Sequence, residues 1–223
     1  MKFVSFETAT EWCSVALWLD GELVGLEERA GQSHAERLLP MLDRLAAGAG
    51  IAPGALEAVA FGAGPGSFTG LRIACGVAQG IALARGIPVI GISTLEALAE
   101  ESGAARVVAC LDARMREVYY SAHERIAGKP GAHWREVVAP QCVAPDALAL
   151  PPGEGWIGCG NGFAAYGSLG LSKVHPEVHP SAVAVARLAA PRLAAGEGVD
   201  AALAVPAYVR DKVAFTTAER EAR

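Results

Sequence analysis

Apolar and polar positions along this 223-residue chain fall into short runs that predict a mixed α/β architecture. Phe3 to Thr8 is apolar and β-prone, and Cys13 to Leu19 follows after a short turn. Asp20-Gly21 is a two-residue hairpin signal, because both positions favour positive φ, and Glu22 to Glu28 returns as a third strand. Ser33-His34-Ala35-Glu36 reads as a capping box, with Ser33 on the free amides and Glu36 reaching back. The helix it opens runs to about Ala47 with Pro40 inside, so one backbone hydrogen bond is lost and packing must compensate. Ala58 to Ala63 reads as a buried strand that runs into Gly64-Pro65-Gly66-Ser67-Phe68-Thr69-Gly70, then a helix to about Arg85. Pro88 to Ile92 is a short strand, and Ser93-Thr94-Leu95-Glu96 is a second capping box opening a helix to about Ser102.

The second half weakly repeats this order. Arg106 to Asp112, Val118 to Arg125 and Trp134 to Val138 read as strands, Pro145 to Leu150 as a short helix, and Trp156 to Cys159 as a strand. Gly160-Asn161-Gly162 turns into a short helix, Ser181 to Ala195 is a longer one with Pro191 near its end, and the polar tail from Asp211 frays. Two βββαβα halves predict an α/β fold of duplicated ribonuclease H-like type, with lobes at 1–103 and 104–223. Helix 181–195 is placed to pack back on the first lobe.

Apolar residues make up 52% and charged residues 19%, which excludes a disordered chain and supplies a sizeable core. Aromatics are only 6%, so that core must be mostly Ala, Val, Leu and Ile. The net charge of −5 argues against a chain that binds nucleic acid unaided, while leaving a place in a larger assembly open. The five Cys form no C-x-x-C pair and read as small buried hydrophobes in a reducing compartment. An acid at Glu7 comes too early for a signal peptide. The apolar stretch Ile73 to Ala84 is interrupted by Gln79 and falls short of the roughly 20 residues that cross a bilayer. A soluble cytoplasmic protein without a membrane segment is expected.

Four groups of residues bear on chemistry. The loop Gly64, Pro65, Gly66, Ser67, Thr69, Gly70 sits between a strand and a helix, where amides and the helix dipole can hold an anion. Its glycine spacing is not that of a Walker A loop, and the bland reading is a tight turn capped by Thr69. The helix after it is apolar on nearly every face, so both faces must be covered. Ala74, Ala78 and Ala82 repeat every fourth residue, with Gly76 and Gly80 beside them, which lets a second helix approach closely. In the preceding helix Leu38, Leu42 and Leu45 form one stripe, with Leu39 and Ala46 off it. Either a partner helix or this chain itself covers the second faces. Glu7 and Asp112 end the first strand of each half, but a nuclease-type magnesium site needs three or four converging acids. His175 and His179 have a helical metal spacing, yet a proline follows each, so a surface loop is expected; His34 has Leu38 four residues on and no second ligand. No G-x-S-x-G elbow is present.

Five segments together resemble one family: Phe6-Glu7-Thr8-Ala9-Thr10; Ser33-His34-Ala35-Glu36 with Leu38-Leu39-Pro40; Gly64 through Ile73; Leu111-Asp112-Ala113-Arg114 with Glu117-Val118-Tyr119; and Pro206-x-Tyr208-Val209-Arg210. They are similar to the TsaB (YeaZ) family of bacterial tRNA threonylcarbamoyladenosine biosynthesis proteins, over essentially the whole chain. The resemblance implies an actin/Hsp70/sugar-kinase-like fold and a role without chemistry of its own. It implies binding to a catalytic relative, TsaD, which transfers threonylcarbamoyl to adenosine 37 of ANN-decoding tRNAs, with a small ATPase, TsaE, joining them. It also implies homodimers through the same helices, contact with tRNA only through the complex, and no cofactor. The expected interface comprises His34, Leu38, Leu42, Leu45, Leu71, Ala74, Cys75, Ala78 and Ala82. The histidine pair that binds metal in the catalytic relative is absent here, since the second position is Leu38. Kinases of this fold use an acid-x-glycine turn for phosphate; Glu7-Thr8-Ala9 and Asp112-Ala113-Arg114 lack that glycine. Gly158-x-Gly160-x-Gly162 is a weak match to an adenosine loop. The competing readings are an independent ATP-binding phosphotransferase or ATPase of this fold, and a metalloprotease whose ligands cannot be assembled.

Overall fold

The computed structural model describes residues 1–128 and 132–210. Two five-stranded mixed sheets repeat one topology. In the first, β1 (Lys2–Glu7), β2 (Trp12–Leu19) and β3 (Glu22–Arg29) form an antiparallel meander. β4 (Ala58–Gly64) and β5 (Val89–Ser93) then add parallel to β1, giving the order β3-β2-β1-β4-β5. In the second, β6 (Arg106–Arg114), β7 (Glu117–Arg125) and β8 (Trp134–Val143) are the meander. β9 (Ile157–Cys159) and β10 (Val174–His175) are the parallel additions, so the order is β10-β9-β6-β7-β8. This is the duplicated ribonuclease H-like arrangement that the patterning predicts. Asp20 and Gly21 take φ of 55° and 107°, as their hairpin demands.

The helices cover the first sheet on both sides. α1 (His34–Gly48) and α2 (Phe68–Arg85) lie on one face, where Leu38, Met41, Ala74 and Ala78 meet Val4, Phe6, Val15 and Phe61. α5 (Ala182–Ala194) lies across the other face, against Phe3, Ala58 and Ala60. Its first turn is tied there by Ser5 Oγ donating to the Ala182 carbonyl at 2.7 Å and by the Ala182 amide donating to Ser14 Oγ at 2.8 Å. α3 (Thr94–Glu101) joins the lobes, packing Leu95, Leu98 and Ala99 against Val107, Ala109 and Leu111 of β6. α4 (Asn161–Tyr166) closes the outer face of the second sheet with Phe163. Among the described residues no helix is long and apolar enough to cross a membrane.

Several local expectations are corrected. Ser33 does not cap α1: its hydroxyl donates to the Ala30 carbonyl and accepts from Arg37 Nε, both at 2.8 Å. At α3, Ser93 does accept from the Glu96 amide, but the Glu96 carboxylate pairs with Arg192 instead of reaching back. α2 is capped by Ser67, not Thr69, with Ser67 Oγ accepting from the Gly70 amide. Pro145 to Leu150 is a 3₁₀ turn at Pro145–Ala147 rather than a helix, so among the described residues the second half has no counterpart of α1. β10 escapes sequence patterning because two residues cannot show a period. The polar tail from Asp211 lies outside the described residues.

Candidate functional site

The lobes meet at a cleft of about 460 Å³, floored by the Gly66–Thr69 loop, the β1–β2 turn, the β6–β7 turn and the start of α4. The glycines of the loop are explained by close packing. A Cβ on Gly70 would collide with the Thr8 carbonyl, one on Gly66 with the side chain and carbonyl of Ala9, and one on Gly64 with Leu71 and the Ala207 carbonyl. The loop is clamped to the β1–β2 turn: Ser67 N donates to the Ala9 carbonyl at 2.8 Å, and Thr8 Oγ1 to the Gly70 carbonyl at 2.8 Å. The backbone approach that only glycine allows is thus directed at the protein's own chain.

Glu7 does not face the cleft. Its side chain is 1% exposed and lies over the backbone of Gly62, where a Cβ would strike the carboxylate. Oε1 accepts from the Ala9 amide at 2.7 Å and Oε2 from Thr94 Oγ1 at 3.1 Å. Burial raises its pKa to about 7 against the lowering effect of these hydrogen bonds. Asp112 does line the cleft, with Glu11 the other acid there. Its Oδ1 accepts from the Arg114 amide and its Oδ2 from the Arg114 guanidinium at 2.9 Å. Among the described residues no three of His, Cys, Asp and Glu are grouped to hold a metal ion. His175 sits in β10 beside Glu177, while His179 stacks on Trp12 with ring centroids 4.2 Å apart and reaches Glu27. The two histidines serve separate partners.

The expected interface residues divide by face. His34, Leu38, Leu71, Ala74, Cys75, Ala78 and Ala82 are all buried in this chain's own core. Leu42 and Leu45 are half-buried against the same cluster. Within the chain, the alanines at fourfold spacing bring α2 close to β4. The outward faces carry Leu39 on α1 and Gly76, Gly80 and Leu83 on α2; Leu83 is 74% exposed. His34 Nε2 lies 3.2 Å from the Trp12 carbonyl, a contact within the fold.

Sequence reasoning missed the contribution of Tyr208 and Arg210 to the cleft, and of Arg72, which holds two of its lining residues. Arg72 lies 3.5 Å from the Phe68 ring centroid and donates to Tyr208 Oη at 3.1 Å. The Pro206-x-Tyr208-Val209-Arg210 pattern held the signal, but its contacts span the two lobes and leave no local period.

Comparison with known proteins agrees with this geometry. The family model for TsaD, tRNA N6-adenosine threonylcarbamoyltransferase, matches residues 27–160. The tRNA threonylcarbamoyladenosine biosynthesis protein TsaB of Escherichia coli K12 is 37% identical, over 96% of this chain and 97% of its own. That of Haemophilus influenzae is 40% identical over 74% of each. A solved structure of YeaZ from Pseudomonas aeruginosa superposes with a TM-score of 0.86 at 38% identity, covering 93% of this chain and 99% of that one. With its duplicated sheets, glycine-clamped loop and end-to-end similarity, the chain belongs to the TsaB (YeaZ) family.

Proposed function

We propose that this chain is a non-catalytic subunit in the biosynthesis of threonylcarbamoyladenosine in tRNA. It binds a TsaD-type transferase through the outward faces of α1 and α2, and associates with a second copy through the same faces when that partner is absent. A TsaE-type ATPase joins the assembly, and tRNA is met only through the complex. The names of the relatives support the pathway. The observation that carries the non-catalytic reading is Glu7: the strand-end carboxylate is turned into the core and committed to Ala9 and Thr94. A group desolvated and bonded inside the fold does not reach a substrate in the cleft, which Glu7 does not line. The net charge of −5 accords with a subunit that leaves RNA contact to others.

The test is size-exclusion chromatography with light scattering on the protein alone and mixed with TsaD from the same organism. A one-to-one complex is expected, and Leu83→Arg abolishes it. Leu83 is exposed, so the substitution leaves folding stability within about 0.5 kcal/mol of the parent. Absence of a complex between two folded proteins would overturn the subunit reading. Calorimetric titration with magnesium-ATP separates the alternative, an independent ATPase, which requires measurable affinity.

A further inference from the structure

The segment Ala204–Arg210 touches both lobes in sequence. On the first lobe, the Ala204 carbonyl accepts from Gln79 Nε2 at 2.9 Å, and the Ala207 amide donates to the Ala63 carbonyl at 2.7 Å. The Tyr208 ring lies 5.7 Å from Phe68, and its hydroxyl accepts from Arg72. Two residues further, Arg210 crosses to the second lobe. Its Nη2 donates to the Ala113 carbonyl at 2.9 Å and to Glu117 Oε2 at 2.6 Å, with the guanidinium 5.6 Å from the Tyr119 ring centroid. These contacts grip the β6–β7 turn, where Arg114, Met115 and Arg116 all hold positive φ. Such backbone persists in non-glycine residues only where its surroundings over-determine it. Gly64 completes the arrangement, because a Cβ there would stand 2.9 Å from the Ala207 carbonyl and push the segment off β4.

We infer that Ala204–Arg210 is an interlobe clasp that fixes the angle between the two sheets and the width of the cleft, with Arg210 as its latch on the second lobe. A guanidinium suits the latch because Nη2 carries two hydrogens, one each for the carbonyl and the carboxylate, while the flat cation lies beside the Tyr119 ring, a combination that an ammonium on a flexible stem reproduces less well. Arg210 is a positioning residue. It acts by holding the β6–β7 turn, and so the Asp112–Arg114 pair, against the first lobe.

A clasp couples its two ends, whereas two unrelated contacts do not. Hydrogen exchange on the full-length protein tests this. Tyr208→Ala combined with Gln79→Ala cuts only the first-lobe end. The clasp requires amides of residues 112–118, on the other lobe, to exchange faster in that variant. Arg210→Ala must in turn speed exchange around Ala63–Arg72. Each increase should be roughly tenfold to a hundredfold, the factor that loss of charge-assisted hydrogen bonds carries. Arg210→Lys should fall between parent and alanine variant. If each cut speeds exchange only at its own end, or if Arg210→Lys matches the parent, the clasp is overturned. Should Arg210→Ala fail to fold, the Tyr208 and Gln79 pair decides the matter alone, since Tyr208 is half-exposed.

Discussion

Replacing Glu7 by Gln should make the protein more stable, and only above mildly acidic pH. The buried carboxylate titrates near 7 in the fold instead of 4.5, so the folded state resists ionisation that the unfolded chain accepts freely. The sign follows from that order. Below pH 4.5 both states hold the proton and Glu7 is neutral to stability. As pH rises to about 7 the unfolded state gains by ionising first, and folding stability falls; above 7 the loss is complete. At ~1.4 kcal/mol for each pH unit of separation, the loss comes to about 3 kcal/mol. Glutamine keeps the shape and stays neutral. Its oxygen can accept from the Ala9 amide, and its amide can donate to Thr94 Oγ1, which already accepts from the Gly64 amide at 3.1 Å.

The assay is urea unfolding of parent and Glu7→Gln from pH 4 to 8.5, read as the difference between the two. The difference should be near zero at pH 4 and about 3 kcal/mol at pH 8.5, equivalent to roughly 6–12 °C in Tm for a chain of this size. The difference matters because His123 opposes Glu7 in the same window. His123 is 2% exposed, and burial with the Arg192 charge nearby lowers its pKa to about 4. Its contribution is present above pH 6.5 and lost as pH falls towards 4. The parent curve is flattened by the two together, while Glu7→Gln leaves His123 unmasked and its own stability climbs with pH. A difference that does not change with pH would refute the reasoning. So would loss of TsaD binding in a folded Glu7→Gln variant, which would return Glu7 to the functional site.

Other substitutions separate the two faces of α2. Gly76→Ala and Gly80→Ala meet nothing within 4 Å, so thermal melting should show each gaining up to ~1 kcal/mol of helix stability. Loss of partner binding in those stabilised variants would mark the face as the contact. Ala78→Arg buries a guanidinium against the first sheet and should yield no folded protein by circular dichroism, rather than a folded protein that merely fails to associate. Gly70→Ala drives a methyl into the Thr8 carbonyl and should cost at least about 1–3 kcal/mol in urea unfolding.

The succession of elements, the hairpin and the repeated halves were legible because their signals are local and periodic. The orientation of α2 was not. It carries small residues on both faces, and Ala74, Ala78 and Ala82 suit a close approach to a sheet as well as to a helix. Only the position of β4 decides which face is inward. The capping box at Ser33 failed for a similar reason: Ala30 and Arg37 compete for the same hydroxyl, and both enter through the path of the β3–α1 connection. The glycine loop was legible as a turn, while its purpose depended on Thr8, Ala9 and Ala207, far away in sequence. One overlooked signal was Gly62. A glycine inside a buried strand marks a close approach, and here what approaches is the Glu7 carboxylate.

That pairing explains why two halves with one topology end in different chemistry. Glu7 and Asp112 close equivalent strands, β1 and β6. In the first lobe Gly62 leaves a gap beside β1, and the carboxylate of Glu7 folds back over it to meet Ala9 and Thr94. In the second lobe Asp112 is shorter and stays at the cleft, where Arg114 neutralises it and Asn161 Oδ1 accepts from its backbone amide. One strand-end acid has become a strut between β1, β4 and α3, and the other anchors a turn that Arg210 holds from behind. A cleft built on such commitments maintains a shape, and a maintained shape is what the proposed subunit role requires.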